Sequence, residues 1–428
     1  MKLRLSLTLI LFVFSSIESN AQKNLQYFIE QAKANSPLIA DNKNQIAATQ
    51  IEIDRLKAFY TKAQITLTGN YQFSPILSRD NGNKEVVLNP AEAVNYSGYD
   101  IAASNGGVYQ GLINYNQPLF NGERYKASAA QALINSKINE NTIQLTVHDL
   151  EKLITDQYIL CLQDRKQELY FSSLISIITE QKAIVSKLVL NGIAKQSDLS
   201  LLTIEYKTQE VALNSFRSTY KRDLLDLTIL CGLPDTTFQI LDDLDLQLNQ
   251  KIVGSKFVER YRLDSLALIA TQNVFELKYK PSVGAYANAG LNAVYAPTIP
   301  NRFGVAAGIN FTLNLFDGNQ RSLSQQRTSV LMKSTQAYRT FFTTQNEVRK
   351  NRILNELKSV SERLTLATDQ LSEYQKLLEF YKQELSRGQI SVINYVATLK
   401  NVATAQRDFL LLQANEQLLI NLYNYWNW

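Results

Sequence analysis

The sequence is poor in the residues that carry catalysis. Its one histidine, His148, cannot build a His-based triad or a cluster of histidine metal ligands. Its two cysteines, Cys161 and Cys231, are far apart rather than in a CxxC pair, and no HExxH motif or Gly-rich phosphate loop occurs. The acidic run Asp242, Asp243 and Asp245 lacks the glycine that a calcium loop needs, so it reads as a solvated loop. No cofactor, metal or catalytic residue is expected, and the chain does not read as an enzyme. Charge is also sparse: the net charge of +5 is small and dispersed over 428 residues, which argues against a nucleic-acid partner. Beyond the N-terminus no window holds about 20 consecutive apolar residues, so no transmembrane helix is expected.

Glycine and proline are scarce in a patterned way. Of 24 such residues, 18 fall within 69–122 or 281–318. Between Pro118 and Gly232 only Gly122 and Gly192 occur, and after Gly318 only Gly388. Because these residues punctuate helices, 123–190 and 319–386 read as uninterrupted helices, each about 100 Å long at about 1.5 Å per residue. Ile143, Val147, Leu150 and Ile154, then Phe171, Leu174, Ile178, Val185 and Leu188, recur at coiled-coil spacing. A glycine takes the left-handed conformation that ends a helix, so Gly192 and Gly388 are predicted hairpin turns leading into helices at about 193–230 and 389–425. Single helices are expected near 25–60 and 256–279.

The N-terminus carries Lys2 and Arg4, an apolar run from Leu5 to Phe14, and Ser19-Asn20-Ala21, the layout of a secretory signal cleaved after Ala21. Export places the cysteines in an oxidising compartment. If the helices fold back at Gly192, Cys161 faces about position 223, out of line with Cys231, which favours buried thiols.

What remains alternates with period two. Phe303, Val305, Ala307, Ile309, Phe311, Leu313 and Leu315 share one strand face; Gly304, Ala306, Gly308, Asn310, Thr312 and Asn314 share the other. Similar alternation marks Ile65, Leu67, Tyr71 and Phe73 against Gln64, Thr66, Thr68, Asn70 and Gln72, and Val283 to Leu291 against Asn288 and Asn292. Strand pairs are thus expected at about 64–75 with 107–120 and 281–296 with 302–317. Their polar faces hold amides, hydroxyls and glycines, which suits a water-filled lumen. Length, aromatics such as Tyr71, Phe73, Tyr295, Phe303 and Phe316 toward strand ends, and export together favour a membrane β-barrel over a soluble sheet. Four strands are too few to close one, so closure requires an oligomer.

The pattern occurs twice. Leu119-Phe120-Asn121-Gly122 ends a strand 72 positions before Gly192, counted from Phe120, and Leu315-Phe316-Asp317-Gly318 stands at the same distance before Gly388. Both landmarks shift by 196 residues, the mark of an internal duplication. The expected organisation is a signal peptide at 1–21, a first repeat at 22–250 and a second at 251–428, with helical hairpins at about 122–231 and 318–428.

On these residues the chain resembles the TolC-like outer-membrane efflux protein family. The resemblance rests on the strand exits at Phe120 and Gly122 and at Phe316 and Gly318, the hairpin tips Gly192-x5-Asp198 and Arg387-Gly388-x-Ile390-Ser391, and Ser36-Pro37. It implies an α+β membrane protein: a homotrimer in which each subunit gives four strands to a twelve-stranded barrel in the outer membrane of a Gram-negative bacterium, continued by a periplasmic α-helical tunnel. Such a duct serves efflux or type I secretion through a periplasmic adaptor and an inner-membrane transporter. Family members often carry an acidic constriction at the tips; Asp198 matches it, whereas the equivalent Asn394 departs from it. Asp198 also fits a helix-capping role. A periplasmic coiled-coil adaptor is the alternative, although adaptors lack paired strands with an apolar outward face.

Overall fold

The computed structural model describes residues 23–82, 84–87, 94–99, 107–250, 252 and 254–428; the predicted signal peptide lies outside them. In chain order the first elements are α1 (Leu25–Asn35), α2 (Pro37–Thr61), β1 (Gln64–Phe73), β2 (Ile76–Ser78), β3 (Glu85–Val87), β4 (Tyr96–Ser97) and β5 (Gly107–Leu119). There follow α3 (Gly122–Leu190), α4 (Gln196–Leu230), α5 (Glu259–Glu276), β6 (Ser282–Ala293), β7 (Phe303–Thr312), α6 (Gln320–Ser386) and α7 (Val392–Trp426). Contacts divide the chain into a helical unit (residues up to 40, 144–257 and 343–428) and a sheet unit (41–143 and 258–342). Among the described residues, no helix is long and apolar enough to cross a membrane.

In the helical unit, the expected single helix at 25–60 is broken. Ser36 is extended (ψ 115°) because the Pro37 ring disfavours helical backbone before it. The Ser36 hydroxyl then accepts the Ile39 N–H at 3.4 Å, so one residue ends α1 and starts α2. Three further helix ends close alike, at Gly192, Gly232 and Gly388, all left-handed at φ 63–73°. At the first, Gly192 N–H bonds Val189 O at 3.0 Å and Ile193 N–H bonds Leu188 O at 2.9 Å, which satisfies carbonyls the helix leaves open. Gly232 and Gly388 repeat that pattern.

Two large apolar clusters fill this unit. One joins Phe28, Ile154, Tyr158, Tyr220, Leu227 and Leu241 across α1, α3, α4 and the segment after α4. The other joins Leu174, Ile178 and Val185 of α3 to Leu202 of α4 and Leu385, Tyr395 and Leu399 of α6 and α7. Of the predicted seam, Ile154, Phe171, Leu174, Ile178 and Val185 are buried, whereas Ile143, Val147, Leu150 and Leu188 are half-buried. Both cysteines are free and buried; burial pushes the Cys231 thiol up to about 12, and its Sγ–H donates to Phe28 O at 3.3 Å.

The segment after α4 is a loop whose Asp243 and Asp245 are exposed, as expected, but whose backbone is held down. Tyr220 Oη donates to Gln239 O and Tyr158 Oη to Asp242 O, both at 2.7 Å. Amide side chains of α7 bracket the rest: Gln417 Oε1 accepts Leu246 N–H at 2.7 Å, and Asn424 accepts Asn249 N–H and donates to Gln247 O, both at 2.8 Å. Asn427 does the same for Ile252 N–H and Gln250 O. Side-chain amides thus supply the pairs that an adjacent strand would give an extended chain.

In the sheet unit, four antiparallel strands run in the order β1-β5-β6-β7, with β1 and β7 at the edges. β5 and β6 pair from Tyr109↔Ala293 to Leu119↔Val283. β7 stops at Thr312, short of the expected 317, because its partner β6 begins at Ser282 and is preceded by Pro281, which has no N–H to offer. The link between β1 and β5 is not plain coil: β3, β2 and β4 form a small sheet in that order. Asp80 anchors it by accepting Val94 and Asn95 N–H at 3.0 and 2.8 Å, which holds its carboxyl below the usual range.

Candidate functional site

Register decides what the sheet presents. The pairings put Gln64 beside Asn116 and Tyr286; Thr66 beside Asn114 and Asn288; and Asn70 beside Gln110 and Asn292. On the opposite face Ile65 meets Tyr115 and Ala287, and Leu67 meets Ile113, Ala289 and Val305. One face is therefore mostly amide, hydroxyl and glycine, interrupted by Val108 and Leu112 and without a carboxylate, ammonium or guanidinium, and the other is apolar but for Gln117 near its end. On the polar face Asn70 Nδ2 donates to Gln110 Oε1 at 3.1 Å and Asn114 Nδ2 to Thr68 Oγ1 at 2.9 Å. The Tyr286 ring lies where a Cβ on Gly308 would stand, 2.7 Å from that point, so the ring covers the glycine. The apolar face is bare: Leu67 is 79% and Ile309 73% exposed. An isolated soluble sheet would bury this face, because each exposed apolar side chain forgoes about 1.5–3 kcal/mol of transfer free energy.

The predicted strand exits are not equivalent. Phe120 is left-handed at φ 56° and 90% exposed, and Gly122 opens α3 in ordinary helical backbone. At the second exit Phe316 is exposed, while Gly318 and Asn319 take the left-handed step at φ 66° and 69°. Counted from Phe120 and Phe316, the left-handed turn lies two positions later at the second exit. Asp317 makes the difference: it accepts from Tyr279 Oη and, at 2.8 Å, from Arg321 N–H, which ties the second exit to the start of α6.

At the tips, Gly192 and Gly388 make the turns, and a Cβ on Gly388 would lie 3.0 Å from Ile193 Cγ2, so the two turns touch. Asp198 and Asn394 both occupy the third position of the helix that follows. Asp198 Oδ2 accepts Lys195 N–H at 3.0 Å, a carboxylate capping a helix whose preceding residue, Lys195, has no acceptor. In the second hairpin Ser391 Oγ accepts Ile393 N–H at 3.2 Å, so Asn394 is released from that duty and is exposed. The Asp198/Asn394 difference thus follows the capping residue three positions earlier.

A contact between hairpins escaped the sequence reading. Glu205 of α4, 1% exposed, meets Lys400 Nζ of α7 at 3.2 Å and accepts from Gln209 Nε2 at 2.6 Å. Glutamate and lysine are ordinary on helix surfaces, so neither residue stood out; only the crossing of α4 and α7 pairs them.

No protein-family description and no curated protein sequence matches the chain. Solved structures do. The outer membrane protein VceC of Vibrio cholerae superposes with a TM-score of 0.68 at 13% identity, covering 94% of this chain and 96% of its own. The Campylobacter jejuni CmeC outer membrane channel gives 0.68 at 11% identity, covering 95% and 86%. The open state of the Neisseria gonorrhoeae MtrE outer membrane channel gives 0.64 at 12% identity, covering 94% and 88%. The chain has the TolC-like fold. Identity this low leaves the TolC-like resemblance at the level of architecture, carried by the long hairpins and the four-stranded sheet.

Proposed function

We propose that the chain is an outer-membrane channel of a Gram-negative bacterium, acting as the exit duct of an efflux or type I secretion system. The observation that carries this reading is the open four-stranded sheet with one bare apolar face and one uncharged polar face. A sheet with two free edges and an apolar face is stable in lipid only when its edges are paired, since unpaired backbone groups in hydrocarbon cost several kcal/mol each. Three copies joined edge to edge, β7 to β1, make a twelve-stranded barrel with amides lining its lumen. The two halves of the chain are repeats that each give two strands and one hairpin, and the hairpins form the periplasmic tunnel. An adaptor and an inner-membrane transporter complete the path. The bare apolar sheet face speaks against the adaptor reading.

The tips are the proposed constriction, where Asp198 contributes a ring of three charges and Asn394 none. The deciding experiment is the protein mass of the particle extracted from isolated outer membranes, with detergent subtracted. A detergent-dependent trimer that conducts ions in a planar bilayer is the expected result; a soluble monomer removes the channel reading.

A further inference from the structure

The segment after α4 roofs a cavity of about 410 Å³ within the helical unit, and nothing in the channel reading uses it. Its floor is apolar: Ile159 and Leu162 of α3, Leu410 and Ala414 of α7, and Leu244 of the roof. Its mouth is acidic: Asp243, Asp245 and Glu416 face a single cation, Lys166, which sits 3.5 Å from Asp243. Among the described residues, neither Asp245 nor Glu416 has an ion-pair partner; Asp245 is held by the amides of Gln247 at 2.9 Å and Gln417 at 3.4 Å. Burial, with Asp245 nearby, pushes the Glu416 carboxyl above its usual range.

We propose that this cavity binds a lipophilic organic cation, with its ring system on the apolar floor and its positive charge between Asp245 and Glu416. The volume lies in the range of small-molecule pockets, about 300–1,000 Å³. The roof decides against a partner helix. It is pinned on both sides of the mouth, by Tyr158 Oη to Asp242 O at 2.7 Å and by Gln417 Oε1 to Leu246 N–H at 2.7 Å. A helix about 10–12 Å across would have to break both pins. Charge complementarity then selects the ligand: at the edge of the apolar floor stand two carboxylates without a counter-ion, Glu416 half-buried and Asp245 exposed, and a cation seated between them gains their attraction while its rings leave water. The site lies within one subunit, so it stands whether or not the chain is a channel.

Ethidium is a suitable probe, being planar, apolar and permanently charged, with fluorescence that rises on leaving water. The purified full-length protein is titrated with it against a blank of the same detergent. Saturable binding of one dye per chain is expected. Asp245→Asn with Glu416→Gln should weaken it at least tenfold, and Ala414→Trp, which fills the floor, should abolish it. An anionic dye of similar size, anilinonaphthalene sulfonate, should not compete. The proposal is overturned if the double carboxylate variant binds ethidium as the wild type does, or if the anionic dye binds equally well. Should Ala414→Trp fail to fold, the carboxylate variant decides alone, since its two amides keep the shape of the mouth.

Discussion

Asp198 caps a helix, and the pore role proposed for it can be separated from that capping by substitution. Asparagine keeps an acceptor for the Lys195 N–H but carries no charge; alanine removes both. Asp198→Ala should therefore cost about 1 kcal/mol of stability, seen as a lower thermal midpoint, whereas Asp198→Asn should leave the midpoint nearly unchanged. If the proposed constriction holds, Asp198→Asn alone lowers cation selectivity, read as a shifted reversal potential in a salt gradient. A second residue-scale effect sits deeper in the same hairpin. Asp164 of α3 and Asp223 of α4 are both buried, and burial, reinforced by Asp223, pushes the Asp164 carboxyl up to about 7 from 3.8. Between those values the folded chain holds a proton that the unfolded chain has released, so stability falls as pH rises through this window and the penalty is complete above it. Asp164→Asn should flatten that part of the stability profile in urea titrations between pH 4 and 7, stabilising the protein most at the upper end. An unchanged slope would show that Asp164 does not hold a proton in this window.

The elements divide by how local their causes are. The long helices were legible because breakers are absent from them, and their ends because Gly192 and Gly388 close them with a left-handed step. The break at Ser36 follows from Pro37 by the same local logic, although a single helix was expected across 25–60. The segment after α4 is the solvated loop that Asp242, Asp243 and Asp245 suggest, but the brackets on its backbone, Gln417, Asn424 and Asn427, were not legible because they lie more than 170 positions away. Asn424→Ala removes an acceptor for Asn249 N–H and a donor to Gln247 O, which should cost about 1–3 kcal/mol. Hydrogen exchange should speed up at Asn249 first and leave the amides of α3 unaffected. Equal acceleration in both places would mean that the segment is not a separate opening unit.

At the scale of the whole molecule, the sheet's two faces carry the functional reading and make it testable. Leu67→Arg places a charge on the apolar face; in the proposed barrel that face meets lipid, and the charge should cost about 2–4 kcal/mol near the bilayer midplane. Its neighbour Thr68→Arg puts the same charge on the polar face. The first should deplete heat-modifiable trimer from outer membranes; the second should assemble normally and shift single-channel conductance. If both variants assemble equally, the apolar face does not meet lipid.

The sequence by itself determined what depends on neighbours along the chain: helix lengths and ends, the alternation that sorts apolar from polar strand faces, and the scarcity of catalytic side chains. Spacing of three to four residues, alternation of two, and single glycines or prolines act within a turn or two of backbone, so they can be read without knowing what packs where. The tertiary structure decided what depends on residues far apart: the pairing of β5 with β6, the meeting of Glu205 with Lys400, the left-handed Phe120 where the second strand exit uses Gly318, and the roof over an acidic-mouthed cavity. Each arises only when distant segments are packed together, because the partner that satisfies a backbone group or a charge is then supplied by the fold rather than by the next turn of chain.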